Sequence, residues 1–420
     1  MKKHIAIVTI LLVTFSAWGQ NKVFWVHGLG DDQSTWGTYK SALVPSVNQG
    51  SSITWYSSSS LEIAANTLNS QIYTEVSSSN KAIVFGHSAG GLVARRAAQS
   101  NNRIRAVITA GTPNNGAGIV TSLTNRSFNN VANVASTKVQ TSLNLGTQAI
   151  ASVFSGIAGA IISLIGSSTS LLIEVGKGLG QKEIDDIKNS YSSQAAVSDM
   201  NPDLSQNSFL RNLNSPSPTI PIINLYGNED DYRLIRLAGT AMHKRENDSP
   251  SNTSDRCFDE TAFVYYDGVL ATCTTFSVLH YAAGTALAVL GYWCPYYYVS
   301  SALNYSAAAS WTDTKRYIQF DIHNEWDRII GAIHTDRKEN WHKFLWWTWC
   351  DVEYVTVYEN SDGFIPNNSS KMDESKGPKT KNYELKGINH LEMNSHSMMR
   401  QTLYDILKAG MYGDAFNYNL

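Results

Sequence analysis

Neither sign of charge prevails in this chain: 33 basic side chains stand against 35 acidic ones over 420 residues. That balance leaves no basic stripe for a nucleic-acid backbone and excludes the electrostatic footprint such a partner needs. Cysteine is scarce, with only Cys257, Cys273, Cys294 and Cys350, all in the second half. No C-x-x-C pair occurs among them, so a zinc site has no ligand spacing to use. In an oxidising compartment four cysteines allow two disulfides in any of three pairings. Cys257 with Cys273, and Cys294 with Cys350, are the pairs expected. An internal repeat and a long linker are also lacking.

The N-terminal apolar run, Ile5 to Phe15, follows Lys2 and Lys3 and precedes the small-residue site Ala17-Trp18-Gly19. It falls short of the roughly 20 residues a membrane span requires. Residues 1–19 therefore read as a signal peptide cut near Gly19, which predicts a secreted or periplasmic protein with no transmembrane span in the mature chain. No cysteine follows the cut, so a lipid anchor is not expected.

What is present is enough apolar surface for a large core, at 43% hydrophobic residues. Short apolar strands alternate with helical stretches, the pattern of an α/β fold with a mostly parallel central sheet flanked by helices. The strands predicted are Val23 to Val26, Ile53 to Tyr56, Ala82 to Phe85, Ala106 to Thr109, Ile220 to Leu225 and Val352 to Val357. Leu61 to Val76 and Gly90 to Ala98 read as amphipathic helices.

Two segments break this rhythm. Val139 to Ile173 has no charged residue, and Ile150, Val153, Phe154, Ile157, Ile161, Leu164 and Ile165 fall at helical spacing on one face. A span here would part Ser88 from His390, so the segment (about 139–180) reads as a lid that turns its apolar face toward lipid, with a buried core helix as the competing reading. The second, 228–350, holds every cysteine and a concentration of aromatics. A structureless loop of that length is improbable, so it reads as an inserted, disulfide-stapled cap. The core would then be 20–227 and 351–420.

The chemistry centres on Gly86-His87-Ser88-Ala89-Gly90, which follows a strand and opens a helix. A G-x-S-x-G turn exposes its serine above the sheet while the glycines let the backbone fold closely. A serine hydroxyl is a weak nucleophile at neutral pH, so it needs a base within reach and a third group to orient that base. His390 is the base expected, with His396 as runner-up; His87 reads as elbow packing. Asp362 is the acid expected, with Glu229, Asp230 and Asp231 as alternatives after the preceding strand. Two backbone N–H donors must hold the oxyanion. Ala89 supplies one and Leu29, in the turn His27-Gly28-Leu29-Gly30, the other. That turn lacks the lysine of a P-loop and the spacing of a dinucleotide fingerprint.

Taken in order, His27-Gly28-Leu29, the Ser88 elbow, Gly111-Thr112-Pro113, the Ser/Gly/Ile-rich lid stretch, Ser361-Asp362-Gly363 and Asn389-His390-Leu391-Glu392 resemble the secreted bacterial triacylglycerol lipases of the α/β-hydrolase superfamily. The resemblance implies Ser88 as nucleophile, Asp362 as acid, His390 as base, and Leu29 and Ala89 as oxyanion donors. The substrate expected is a lipid or an ester, with transient contact of the lid with a lipid surface and no cofactor. A phospholipase or acyltransferase would use the same parts, and a non-catalytic binding or adhesion protein on this scaffold is the alternative of another class. Members often carry a histidine after the Gly-Thr-Pro turn, where this chain has Asn114 and Asn115. Some hold a structural calcium through an acidic residue after the histidine. Glu392 stands there, but with no second ligand in the sequence a surface carboxylate is the role expected.

Overall fold

The computed structural model describes residues 21–43, 49–124, 194–229, 322–344, 347–376, 379–408 and 410–417, with positions 233, 282 and 285 standing singly. The strands are β1 (Lys22–Val26), β2 (Gln49–Ile53), β3 (Ala82–His87), β4 (Ile104–Ala110), β5 (Ile222–Asn228), β6 (Ile333–Phe344), β7 (Trp347–Tyr358) and β8 (Thr380–Lys386). Six of them form one sheet in the order β2-β1-β3-β4-β5-β8. Every neighbouring pair in it is parallel. The helices that matter here are α1 (Gly37–Leu43), α2 (Leu61–Glu75), α3 (Ala89–Ser100), α4 (Gly118–Thr124), α5 (Ser208–Asn214), α6 (Ile322–Ile330) and α7 (Ser397–Leu407).

The alternation of side chains along a strand divides the core into two layers. Phe24 and Val26 of β1 face a layer that takes in α2, α3 and α5 through Leu61, Leu68, Leu92, Val93 and Leu210. Val23 and Trp25 face the other, built with Tyr39 and Leu43 of α1 and Met399, Leu403, Ile406 and Leu407 of α7. Strands covered on both sides become the near-continuous apolar runs that made them legible in sequence. Each large side chain sealed in these layers contributes roughly 1.5–3 kcal/mol.

Ser60 caps α2, its side chain accepting from the Ile63 N–H at 3.3 Å. The predicted helices over 61–76 and 90–98 are thus present, each displaced by a residue or two. So are the predicted β1, β3, β4 and β5. The second strand lies earlier than expected, ending at Ile53 rather than beginning there.

One strand is corrected. Val352 to Val357 forms no part of the central sheet: it lies within β7, which pairs antiparallel with β6 from Ile333↔Tyr358 to Phe344↔Trp347. The place beside β5 belongs to β8, in register from Ile222↔Thr380 to Asn228↔Lys386. The adjacent segment β6 gives β7 a full-length partner at once, at little loop-closure cost. β8 eluded the apolar pattern because it is an edge strand, with exposed positions along Lys381 to Lys386.

Cys350 is a free thiol on β7, so the Cys294–Cys350 bridge is not formed. In the hairpin register its neighbour across the ladder is Trp341, not a cysteine. Cys257, Cys273 and Cys294 lie outside the described residues, as do the signal segment 1–19 and the lid segment 139–180. Of the segment 228–350, α6 and β6 are described, and the rest is largely outside them. Among the described residues no helix is long and apolar enough to cross a membrane.

Candidate active site

Ser88 sits between the C-terminal end of β3 and the first turn of α3, with φ 53° and ψ −130°. It is the one non-glycine residue with positive φ among those described. An L-residue held there costs on the order of 1–3 kcal/mol, a conformation that persists only where its surroundings impose it. They do so through two backbone hydrogen bonds: Ser88 N–H donates to the Ala110 carbonyl at 2.8 Å, and Gly91 N–H to the Ser88 carbonyl at 3.0 Å.

The flanking glycines are required by close approach. A Cβ on Gly90 would overlap the carbonyl oxygens of Val26 and His27, and one on Gly86 would overlap the Gly90 backbone. Helix α3 can therefore cross β1 and β3 only with hydrogen at both positions. Ala89 opens α3, where the unpaired N–H groups and the helix dipole favour negative charge.

The turn carrying Leu29 lies beside this elbow: a Cβ on Gly28 would stand 3.0 Å from Ser88 Cβ. His27 holds that turn. Its Nδ1 donates to the Gly28 carbonyl at 2.9 Å, and its Nε2 accepts from the Trp55 N–H at 3.3 Å. The Trp55 indole stacks on its ring with centroids 5.5 Å apart and donates back to the His27 carbonyl.

Although 28 residues part them, Asp362 and His390 meet: His390 Nδ1 is 2.8 Å from Asp362 Oδ2. A carboxylate only accepts, so this bond places the proton on Nδ1 and leaves the Nε2 lone pair open. Asp362 is 1% exposed and His390 6%. The other carboxylate oxygen, Oδ1, accepts from Phe364 N–H at 2.9 Å and Ile365 N–H at 2.7 Å. The His390 N–H donates to the Asp362 carbonyl at 2.8 Å. Gly111, φ 55°, passes so close that a Cβ would lie 3.0 Å from His390 Nδ1 and 3.2 Å from Asp362 Oδ2. The turn after β4 thereby packs against the pair, at the same end of the sheet as Ser88.

The alternatives fall elsewhere. His396 caps α7, its Nδ1 accepting from Met398 N–H at 3.1 Å. Glu229 is buried, and its N–H donates to the Ser361 carbonyl at 2.9 Å, bracing the Asp362 loop. Asp230 and Asp231 lie outside the described residues. Glu392 corrects an expectation: it is a buried carboxylate, not a surface one, and accepts from Asn389 N–H at 2.9 Å. Asn389 Oδ1 in turn accepts from Leu391 and Glu392 N–H, so the two side chains lock the turn that bears His390. Among the described residues no His, Cys, Asp and Glu cluster is arranged to hold a metal ion.

Some contributors were not singled out in the sequence. Phe364 stands edge-on to the His390 ring at 5.3 Å and to Trp326 of α6 at 5.7 Å, and the Trp326 indole donates to the Gly363 carbonyl at 2.7 Å. Asn114 ties the turn after β4 into the core. It accepts from Arg95 Nη1 at 2.8 Å and donates to the Ser370 carbonyl at 2.6 Å and to Asn224 Oδ1 at 3.0 Å. Burial pushes the Arg95 guanidinium down to about 10. Only the departure at Asn114 from the familiar histidine marked this network in the sequence.

Residues 47–173, which span β2 to α4, match the family model for a PGAP1-like alpha/beta domain. No curated protein matches the chain. Among solved structures, the Bacillus licheniformis lipase BlEst2 is similar at 11% identity and TM-score 0.41, over 92% of this chain and 91% of that one. A thermophilic esterase is similar at 13% identity and TM-score 0.33, over 93% and 90%. The phospholipase PlaB of Legionella pneumophila is similar at 18% identity and TM-score 0.22, over 26% and 28%. A parallel six-stranded sheet with helices on both faces, and a serine at a strained strand-to-helix turn, make this the α/β-hydrolase fold.

Proposed function

We propose that this protein is a secreted serine hydrolase that cleaves carboxylic esters with apolar acyl groups. The observation that carries the reading is the buried His390–Asp362 pair, bonded at 2.8 Å, at the sheet end that also holds the strained Ser88 turn. Ser88 Oγ attacks the ester carbonyl carbon while His390 Nε2 takes its proton. The carbonyl oxygen becomes an oxyanion held by the N–H groups of Leu29 and Ala89, each worth roughly 10²–10³ in rate. Collapse expels the alcohol, which leaves with the proton from His390, and an acyl-Ser88 ester remains. Water, deprotonated by His390, then attacks that ester and releases the acid. Asp362 holds the imidazole in the tautomer that acts as base and balances its charge once protonated.

Half-buried Leu29, in the turn beside Ser88, and Phe364, edge-on to the His390 ring at 5.3 Å, favour an apolar acyl group. The test compares wild type with Ser88→Ala on p-nitrophenyl esters of short and long chain, with and without an emulsified interface. The expected result is turnover lost in Ser88→Ala and a rise at the interface for long chains, the behaviour of a lidded lipase. Activity on soluble short esters alone marks an esterase. An absence of Ser88-dependent turnover, together with no labelling of Ser88 by a phosphonate probe, rejects the hydrolase in favour of a binding protein.

A further inference from the structure

His87 precedes Ser88 and is 2% exposed. Its ring reaches across to the other end of the chain, with Nε2 at 3.1 Å from the His390 carbonyl oxygen. A carbonyl oxygen only accepts, so Nε2 carries the proton and donates. The two imidazoles lie 4.8 Å apart, inclined at 45°. Trp36 stands edge-on to the His87 ring at 6.4 Å, and Gly28 leaves room for Nδ1, where a Cβ would come within 3.3 Å.

The peptide units around His390 are thus tied on both sides. Its N–H goes to the Asp362 carbonyl at 2.8 Å and its C=O receives His87. The Asp362 carboxylate orients the ring, but a ring pivots about its backbone, and the backbone is what His87 holds. The same side chain is anchored one residue from Ser88, so the tether joins the nucleophile's turn to the base's turn directly. They are 303 residues apart in sequence, and their relative position otherwise depends on packing through β4 and β5.

We propose that His87 is a positioning residue that sets the height and approach of His390 over Ser88 by donating its Nε2 proton to the His390 main chain. This rests on the reading of Ser88 and His390 as nucleophile and base. It assigns the histidine of the elbow a role beyond packing.

Two variants separate tether from bulk. His87→Phe keeps the ring volume and its contact with Trp36 but has no donor. His87→Gln places an amide nitrogen about where Nε2 stands. Displacing reacting groups by about 1 Å costs roughly 100-fold, so His87→Phe should lose about 10- to 100-fold in kcat with KM unchanged. His87→Gln should recover most of that loss. A second readout needs no substrate: the deshielded Nδ1 proton of His390, followed by NMR, should broaden in His87→Phe and stay sharp in His87→Gln.

The proposal is overturned if His87→Phe retains wild-type kcat, if the loss appears in KM alone, or if Gln and Phe lose equally. An unchanged His390 proton resonance in His87→Phe overturns it as well. Should the wild type hydrolyse no ester, the ester reading fails on its own, and the resonance still decides whether the tether exists.

Discussion

Replacing Asp362 by asparagine tests the geometry of the site most sharply, because the structure dictates which way the new amide must face. Oδ1 of Asp362 accepts the Phe364 and Ile365 N–H groups at 2.9 and 2.7 Å, so in Asp362→Asn the amide oxygen must keep that position. The NH2 group is then turned toward His390 Nδ1, where a carboxylate oxygen now sits at 2.8 Å. Two donors cannot face each other, so His390 adopts the opposite tautomer, with its proton on Nε2 and no lone pair for Ser88. The expected loss is roughly 10⁴ in kcat, about 5 kcal/mol at 1.36 kcal/mol per decade. Both loop hydrogen bonds survive, so the thermal midpoint should hardly move. Asp362→Ala differs, because it strands the two N–H groups at roughly 1–3 kcal/mol apiece and should lower stability as well as rate. The p-nitrophenol burst, together with thermal unfolding of both variants, makes the comparison. An Asp362→Asn enzyme within tenfold of wild type would refute the tautomer argument.

Ser88→Gly removes a side chain from the left-handed region at φ 53°; relief of on the order of 1–3 kcal/mol outweighs glycine's entropic cost of about 0.5–1. Unfolding should therefore become harder while turnover vanishes, and a drop in denaturant midpoint would contradict it. Gly90→Ala drives a methyl into the Val26 and His27 carbonyls, and backbone on the receiving side gives little, so a loss at or above about 3 kcal/mol is expected from the same denaturant titration. His323, whose two ring nitrogens are buried, titrates at about 4 instead of 6.5 because of burial first and the Arg233 charge second. The unfolded chain binds that proton from pH 6.5 downward and the folded protein only near 4, so stability is full above 6.5 and falls as pH drops toward 4, by roughly 3 kcal/mol. Midpoints measured across that window should fall for wild type and fall less for His323→Gln.

The sequence by itself determined the parts whose signal is local. β1, β3, β4 and β5 were legible because strands buried on both faces must be apolar throughout. The Ser88 elbow was legible because two glycines and a serine satisfy one steric requirement within five residues. The meeting of Asp362 with His390 was anticipated from chain order, although the strand expected to deliver Asp362, Val352 to Val357, belongs to the β6–β7 hairpin and not to the central sheet. The tertiary structure decided what depends on partners distant in the chain. Val352 to Val357 has the pattern of a strand, but only pairing energetics assigned it to β6 rather than β5, and β8 carries the polar positions of an edge. Glu392 bonds only three residues back, to the Asn389 N–H, yet its burial is set by how that turn packs in the folded chain. Cys350 stands across from Trp341 instead of a cysteine because hairpin register, not cysteine count, selects its neighbour. His87 reaches His390 for the same reason: a hydrogen bond spanning 303 residues exists only once the sheet has brought its two turns together.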